Sequence, residues 1–503
     1  VGKYTVEFEV YDVKVQLEKS IQTVYVRYIR REVRDLTEID RTKFLNAMKV
    51  LYSTTTKDGI KTIGQGFKGM DYLSLKYASL AASSDCDQVS DGLGFLTNHV
   101  ALIAEMEASL QTIEPHLALP YWDFAVDAHS AYTQRKELHT DIELSDAWRR
   151  SSIFDDEFFG SASPNNQYHS SDRGRWGYLA VPSDMWNSTT NGVNAYGYLR
   201  APWNLNDSPY VSRSDHVFEF QESAFSDCSS TFSLLQASTW SEFGSRIEDA
   251  MSVPTSVMVA GAWTKVTAVE WAEAELGHDA ASKLAQISLA LSPIFYRANM
   301  LTCPDYCSSD STSSESCECS VETGLSTTAM KKVFASSGAA ARFAQLDAHQ
   351  DFHTVSDDGS VMIESSILRS LWKMVGSSAI KGDMLDSSAT LDPLFWVIHP
   401  NIERLWQWKR LSSSPYEYSW PSGSSVYSSC SGHDADDIVP FSNLFSIDGD
   451  SNENVQYSNS EIYDLLDPTG MNMNYIYGDF GWSYCVEEGY DLRNFDAKTS
   501  TGM

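Results

Sequence analysis

Eleven histidines are spread over this chain of 503 residues, and few of them stand where imidazoles could work together. His349 and His353 are four apart, so on a helix both rings would project from one face and could share a metal ion. His399 lies in the run Leu391-Asp392-Pro393-Leu394-Phe395-Trp396-Val397-Ile398-His399-Pro400, and His99 closes the run Gly94-Phe95-Leu96-Thr97-Asn98-His99. Neutral imidazole suits transition metals. His116, His129 and His139 follow His99, while His169, His216, His278 and His433 sit in polar surroundings with no partner at ligand spacing. There is no Gly-rich phosphate loop, no HExxH and no GxSxG, which removes nucleotide-dependent, zinc-protease and α/β-hydrolase chemistry.

The elements that must position these residues are mostly helices. Leu93, Leu96, Val100, Ile103, Met106 and Leu110 recur at helical intervals, with His99 beside the stripe and able to face a bundle interior. Thr37 followed by Asp40 has the form of a capping box ahead of Phe44, Leu45, Met48 and Leu51. Residues 281–300 and 326–347 also read as helical, and 124–235 as long loops with short strands. Residues 4–16 and 21–29 alternate apolar and polar side chains, as two strands of a hairpin do.

The segment from Leu391 to Trp406 resembles the second copper segment of the tyrosinase family. Leu119-Pro120-Tyr121-Trp122-Asp123, the lead-in Tyr28 to Leu36, and Tyr475-Ile476-Tyr477 resemble further family motifs in the expected order. The resemblance implies a mainly α fold, a tyrosinase-like four-helix-bundle core with long loops and a short N-terminal β-hairpin, and two coppers held by imidazoles. It implies a second copper site of His349, His353 and His399. Pro254-Thr255-Ser256-Val257-Met258-Val259-Ala260-Gly261 is a rival for the family's His-pair segment, with both histidines replaced. Asp392 and Arg404 are implied scaffold residues. The first site departs from the family: Ser90 stands where a ligand is expected, no histidine precedes His99, and His99 is a remnant of the first copper site. Copper is therefore expected at no more than one ion per chain.

With 37 Lys plus Arg against 68 Asp plus Glu, the formal charge is −31, which repels nucleic acid and anionic membrane surfaces. No apolar run reaches the roughly 20 residues of a membrane span. The chain opens on Val1, so a removed leader is expected. Cys303, Cys307, Cys317 and Cys319 crowd a polar segment and should pair among themselves, in one of three ways; their spacing suits zinc poorly. Asn187-Ser188-Thr189 and Asn206-Asp207-Ser208 are candidate glycosylation sites.

These features lead to one domain over 1–503, with a core from about 28 to 477, N-terminal strands at 4–29 and a Ser-rich C-terminal extension at 411–503. Two functions stay open. One is a secreted protein without a working dicopper centre, reused as an extracellular structural, assembly or binding protein, with copies of itself or matrix and filament proteins as partners. The other is a copper-dependent oxidase turning phenolic small molecules, phenols or o-diphenols, into o-quinones.

Overall fold

A computed structural model describes the chain except residues 13–14, 139–149, 162–165, 188–189, 215, 219, 222–225, 264–266, 309–316, 348–349, 378–379, 423–429, 443–454 and 496–503. The chain is mainly helical, with small sheets. It begins with the expected hairpin, strands β1 (Gly2–Asp12) and β2 (Val15–Val26). Both strands are shifted from the sequence reading because the alternation runs on through Val15, and pairing Gly2 with Val26 uses its whole length. Strand β3 (Tyr28–Arg30) follows.

Helix α1 (Glu38–Ser53) starts where Thr37 accepts a hydrogen bond from the Asp40 N–H, so one half of the capping box forms. Helices α2 (Met70–Ala81), α3 (Phe95–Ile113), α4 (Val253–Ala260), α5 (His278–Arg297) and α6 (Ala339–Leu346) come next, then strand β4 (His353–Val355), strand β5 (Val361–Ile363), helix α7 (Ser365–Val375), helix α8 (Phe395–Leu411) and strand β6 (Tyr475–Tyr477). Two large apolar clusters result. One gathers α1, α3 and α8 with Trp122 and Tyr475; the other gathers α5, α6 and α7. Helix α4 lies between them, giving Met258 to the first and Val257 to the second.

The central helix α3 is wetted on almost no side. Its single apolar stripe was a correct but incomplete guide, since Thr97, Asn98, His99, Glu105 and Glu107 are buried too. Such polar groups are tolerated only when paired. Lys68 and Lys76 reach Glu105. Arg30, fully buried, bridges Glu107 at 2.5 Å and Glu403 of α8 at 2.7 Å. Its guanidinium lies 3.5 Å from the Tyr475 ring centre, and the Tyr475 and Tyr477 hydroxyls donate to Glu403. The parallel pairing of β3 with β6 is what brings these groups together.

The remaining motifs are scaffold as expected. Asp392 accepts from the Leu394 N–H at 2.9 Å and takes a two-pronged ion pair from Arg213, at 2.7 and 2.6 Å. Arg404 donates to Asp123 at 3.0 Å and to the Asp479 carbonyl at 2.8 Å. Trp122 donates its N–H to the Val397 carbonyl at 2.8 Å, tying the Leu119–Asp123 motif to α8.

Several expectations are corrected. Residues Phe124–Leu138 form a helix rather than a loop, docked through the Trp122 indole on Asp127. In the C-terminal region Tyr463, Met473, Trp482 and Cys485 are buried in the first cluster. The region's serines occupy turns and caps, for example Ser458 in a complete capping box. Asn206 is 1 % exposed, and its side-chain N–H donates to the Lys381 carbonyl, so no glycan fits there; Ser188 and Thr189 of the other site lie outside the described residues. All eight cysteines form disulfides. Cys303–Cys319 and Cys307–Cys317 pair within the polar segment, and Cys86–Cys430 and Cys228–Cys485 close long loops. Among the described residues no helix is long and apolar enough to cross a membrane.

Candidate functional site

A cavity of about 120 Å³ opens where α2, α3, α4 and α8 meet, with α5 behind them. That is room for a few water molecules, each taking roughly 30 Å³ in the liquid. His99 and His399 are its two imidazoles. Each is placed by an apolar helix whose ends are locked, α3 through Glu107 on Arg30 and α8 through Arg404 on Asp123.

The two rings stack, with centroids 4.3 Å apart and planes at 15°. Phe395 lies 4.2 Å from His399, Phe95 lies 4.4 Å from His99, and Tyr77 meets His99 edge-on at 5.8 Å. The Nδ1 of His99 is 2.9 Å from the Phe95 carbonyl, and a carbonyl only accepts, so Nδ1 carries the proton. The Nδ1 of His399 is buried without a partner. Burial pushes His99 down to about 4 and His399 well below its ordinary value, the latter also because the two rings cannot both take a proton, so both are neutral at pH 7.

Acidic groups line the other side. Burial pushes Asp87 up to about 7 and raises Glu248 as well, against the pull of Arg297 and Arg342 respectively. Arg342 holds Asp91 at 3.1 Å and Asp249 at 2.7 Å.

Of the three residues expected at a second site, His399 lines the cavity and His353 lies elsewhere. Helix α6 stops at Leu346, and His353 opens strand β4 rather than lying on a helix. Its ring bonds Asp347 at 2.8 Å and edges onto Phe343 in the second cluster, and it is absent from the walls that hold His399. His349 lies outside the described residues. Helix α4 lines the same cavity as His399 with Val253, Ser256 and Val257. The rival segment, Pro254 to Gly261, reaches the cavity through Ser256 and Val257. On the first-site side, Tyr77, Ala81 and Ser90 accompany His99.

Copper pairs in imidazole sites need several ring nitrogens converging on each metal. Here two stacked rings present faces to each other, and the helices α2 and α4 contribute a phenol, methyls and hydroxyls. Among the described residues no group of three or more His, Cys, Asp or Glu is placed to hold a metal ion. The residues at the cavity do not fit a dicopper centre.

The buried rings have a measurable consequence. An unfolded histidine titrates near 6.5, so as pH falls from 6.5 towards 4 the unfolded state takes up a proton that His99 refuses, and stability is lost in that window. Asp87 acts oppositely: its folded value near 7 exceeds the unfolded value near 3.9, so the folded state gains protons and stability as pH falls from 7 to 4. The His99 effect is therefore read as a difference. His99→Phe should change the stability gap between pH 7.5 and 4.5 by about 2 to 3 kcal/mol in favour of the acid condition. Urea unfolding of both proteins at both pH values would show it, and parallel pH profiles would refute it.

Residues 65–411, which contain all four helices around the cavity, match the family model of the common central domain of tyrosinase. No curated protein matches the chain. Because the match covers more than half of the residues and the helical fold agrees with it, the chain belongs to the tyrosinase family, whose central domain is a copper domain.

Proposed function

We propose that this protein keeps the tyrosinase scaffold without its dicopper oxidase, and that it works outside the cell as a structural, assembly or binding protein. One observation carries the reading: among the described residues His99 and His399 are the only imidazoles on the cavity wall, and they stack on each other. The other lining positions Tyr77, Ser90, Val253 and Val257 supply no imidazole. Dioxygen activation in the family is shared by two metals, so a cavity with two imidazoles has no means to perform it. The extracellular setting is supported by eight cysteines paired as four disulfides, which a reducing cytosol would not maintain. The charge of −31 argues against nucleic acid as a partner and suits a solvated extracellular surface.

The test is turnover. Protein reconstituted with copper should leave catechol unoxidised and develop no oxygen-dependent charge-transfer band in the near ultraviolet. Catechol oxidation that disappears in His399→Ala would restore the oxidase reading.

A further inference from the structure

The N-terminal ribbon is a two-stranded sheet of its own, so both outer edges carry unpaired backbone N–H and C=O groups. A lone hairpin is marginally stable in water, and further strands stabilise it. Alternation puts Tyr4, Val6, Phe8 and Val10 of β1 on one face, and Tyr4, Phe8 and Val10 are 49 %, 53 % and 51 % exposed. Lys3, Thr5, Glu7 and Glu9 occupy the other face. Free edges are commonly blunted by proline or by bulges. Residues 1–26 contain no proline, and the bulge falls between Val10 and Tyr11, which leaves Gly2 to Val10 as an uninterrupted edge.

We infer that this edge docks a second copy of the chain, β1 pairing antiparallel with the β1 of its partner about a two-fold axis at Val6. The pattern of residues selects that centre. It sets Lys3 opposite the partner's Glu9, Tyr4 opposite the partner's Phe8, and Gly2 opposite the partner's Val10, so the pairing stops where the bulge begins. Lys3 has no ion pair in its own chain among the described residues. Centring on Glu7 would set that carboxylate against its own copy, and centring on Thr5 would also give Lys3 a carboxylate, Glu7, but would end the pairing at Phe8 and lose the aromatic pair of Tyr4 with Phe8. Like charges directly opposite are destabilising, and opposite charges and aromatic pairs are stabilising. The β2 edge has no such match: centres from Ser20 to Gln22 set Lys19 and Glu18 opposite uncharged residues. The product is a four-stranded sheet, β2-β1-β1-β2, with the apolar side chains of both copies on one face.

This extends the assembly role proposed above and rests on it for its biological meaning. Crosslinking reports on the ribbon, whereas copper and catechol assays report on the cavity, so either can fail without the other. Every native cysteine is in a disulfide, so one introduced cysteine is the only free thiol. In the full-length protein, Val6→Cys should form a disulfide-linked dimer under mild oxidation. Tyr4→Cys alone should not, but Tyr4→Cys mixed with Phe8→Cys should give the mixed dimer. Lys3→Glu should weaken dimerisation about tenfold in sedimentation, with circular dichroism unchanged. A wild-type monomer at every attainable concentration, Tyr4→Cys linking as well as Val6→Cys, or a dimer indifferent to Lys3→Glu would each overturn the inference; the last would move the contact to another surface or another partner.

Discussion

Replacing Arg30 with leucine should lower the unfolding free energy by about 3 to 5 kcal/mol, the largest loss expected from any single substitution at the core. The side chain is fully buried between Glu107 of α3 and Glu403 of α8, and its removal leaves two carboxylates in an apolar interior. Glu403 would keep the Tyr475 and Tyr477 hydroxyls, and Glu107 the Leu119 N–H at 2.7 Å. Those bonds soften the penalty without cancelling a charge. Arg30→Lys should recover only part of the loss, because an ammonium is a point donor and cannot fork to carboxylates on two helices. Urea unfolding followed by tryptophan fluorescence gives the numbers. A loss below about 1 kcal/mol, the size of an exposed pair, would show that the pair contributes little to joining β3 to the bundle.

Removing a long-range disulfide, Cys228–Cys485 or the still longer Cys86–Cys430, should cost at least as much. Cys228 and Cys485 are 257 residues apart, and the chain-entropy relation assigns such a crosslink about 5 to 6 kcal/mol. The same relation gives the 10-residue separation of Cys307–Cys317 roughly 3 kcal/mol. Paired Cys→Ala variants measured by urea unfolding should therefore fall in that order. If the Cys307–Cys317 variant proves the less stable of the two, the loop-length account fails for this protein and local packing around the polar segment decides instead.

What could be read from the sequence followed from residues that keep a distinctive chemistry. Asp392, Arg404 and the His99 and His399 positions were legible because Leu391–Trp406 and Gly94–His99 are dense, ordered motifs. The short pair His349 and His353 carried less information, since four-residue spacing says nothing about whether a helix is there; α6 ends at Leu346, and Asp347 captures the His353 ring. The wall that α4 gives the cavity was hard to see for the converse reason. Val253 and Val257 sit at ligand spacing but carry no donor, so helix α4 shows only an apolar run that any core helix could share.

The Arg30 cluster was half visible. Tyr475-Ile476-Tyr477 was recognisable, but its purpose depends on Glu403 and Glu107, charged residues that would ordinarily be assigned to solvent. Only the parallel pairing of β3 and β6, over 440 residues apart in sequence, brings Tyr477 against Arg30. Likewise, pattern reading says little about packing in residues 411–503, where Trp482 and Cys485 are single apolar residues in a polar stretch and are fixed in the core by a disulfide to Cys228.

Copper stoichiometry tests the central claim most directly. The purified chain would be reconstituted with copper, dialysed against a weak chelator and measured by elemental mass spectrometry beside His99→Gln and His399→Gln. A cavity with two stacked imidazoles should retain well under two coppers per chain. Two coppers per wild-type chain, falling in both variants, would mean that the rings separate to ligate metal and that a dinuclear centre forms after all.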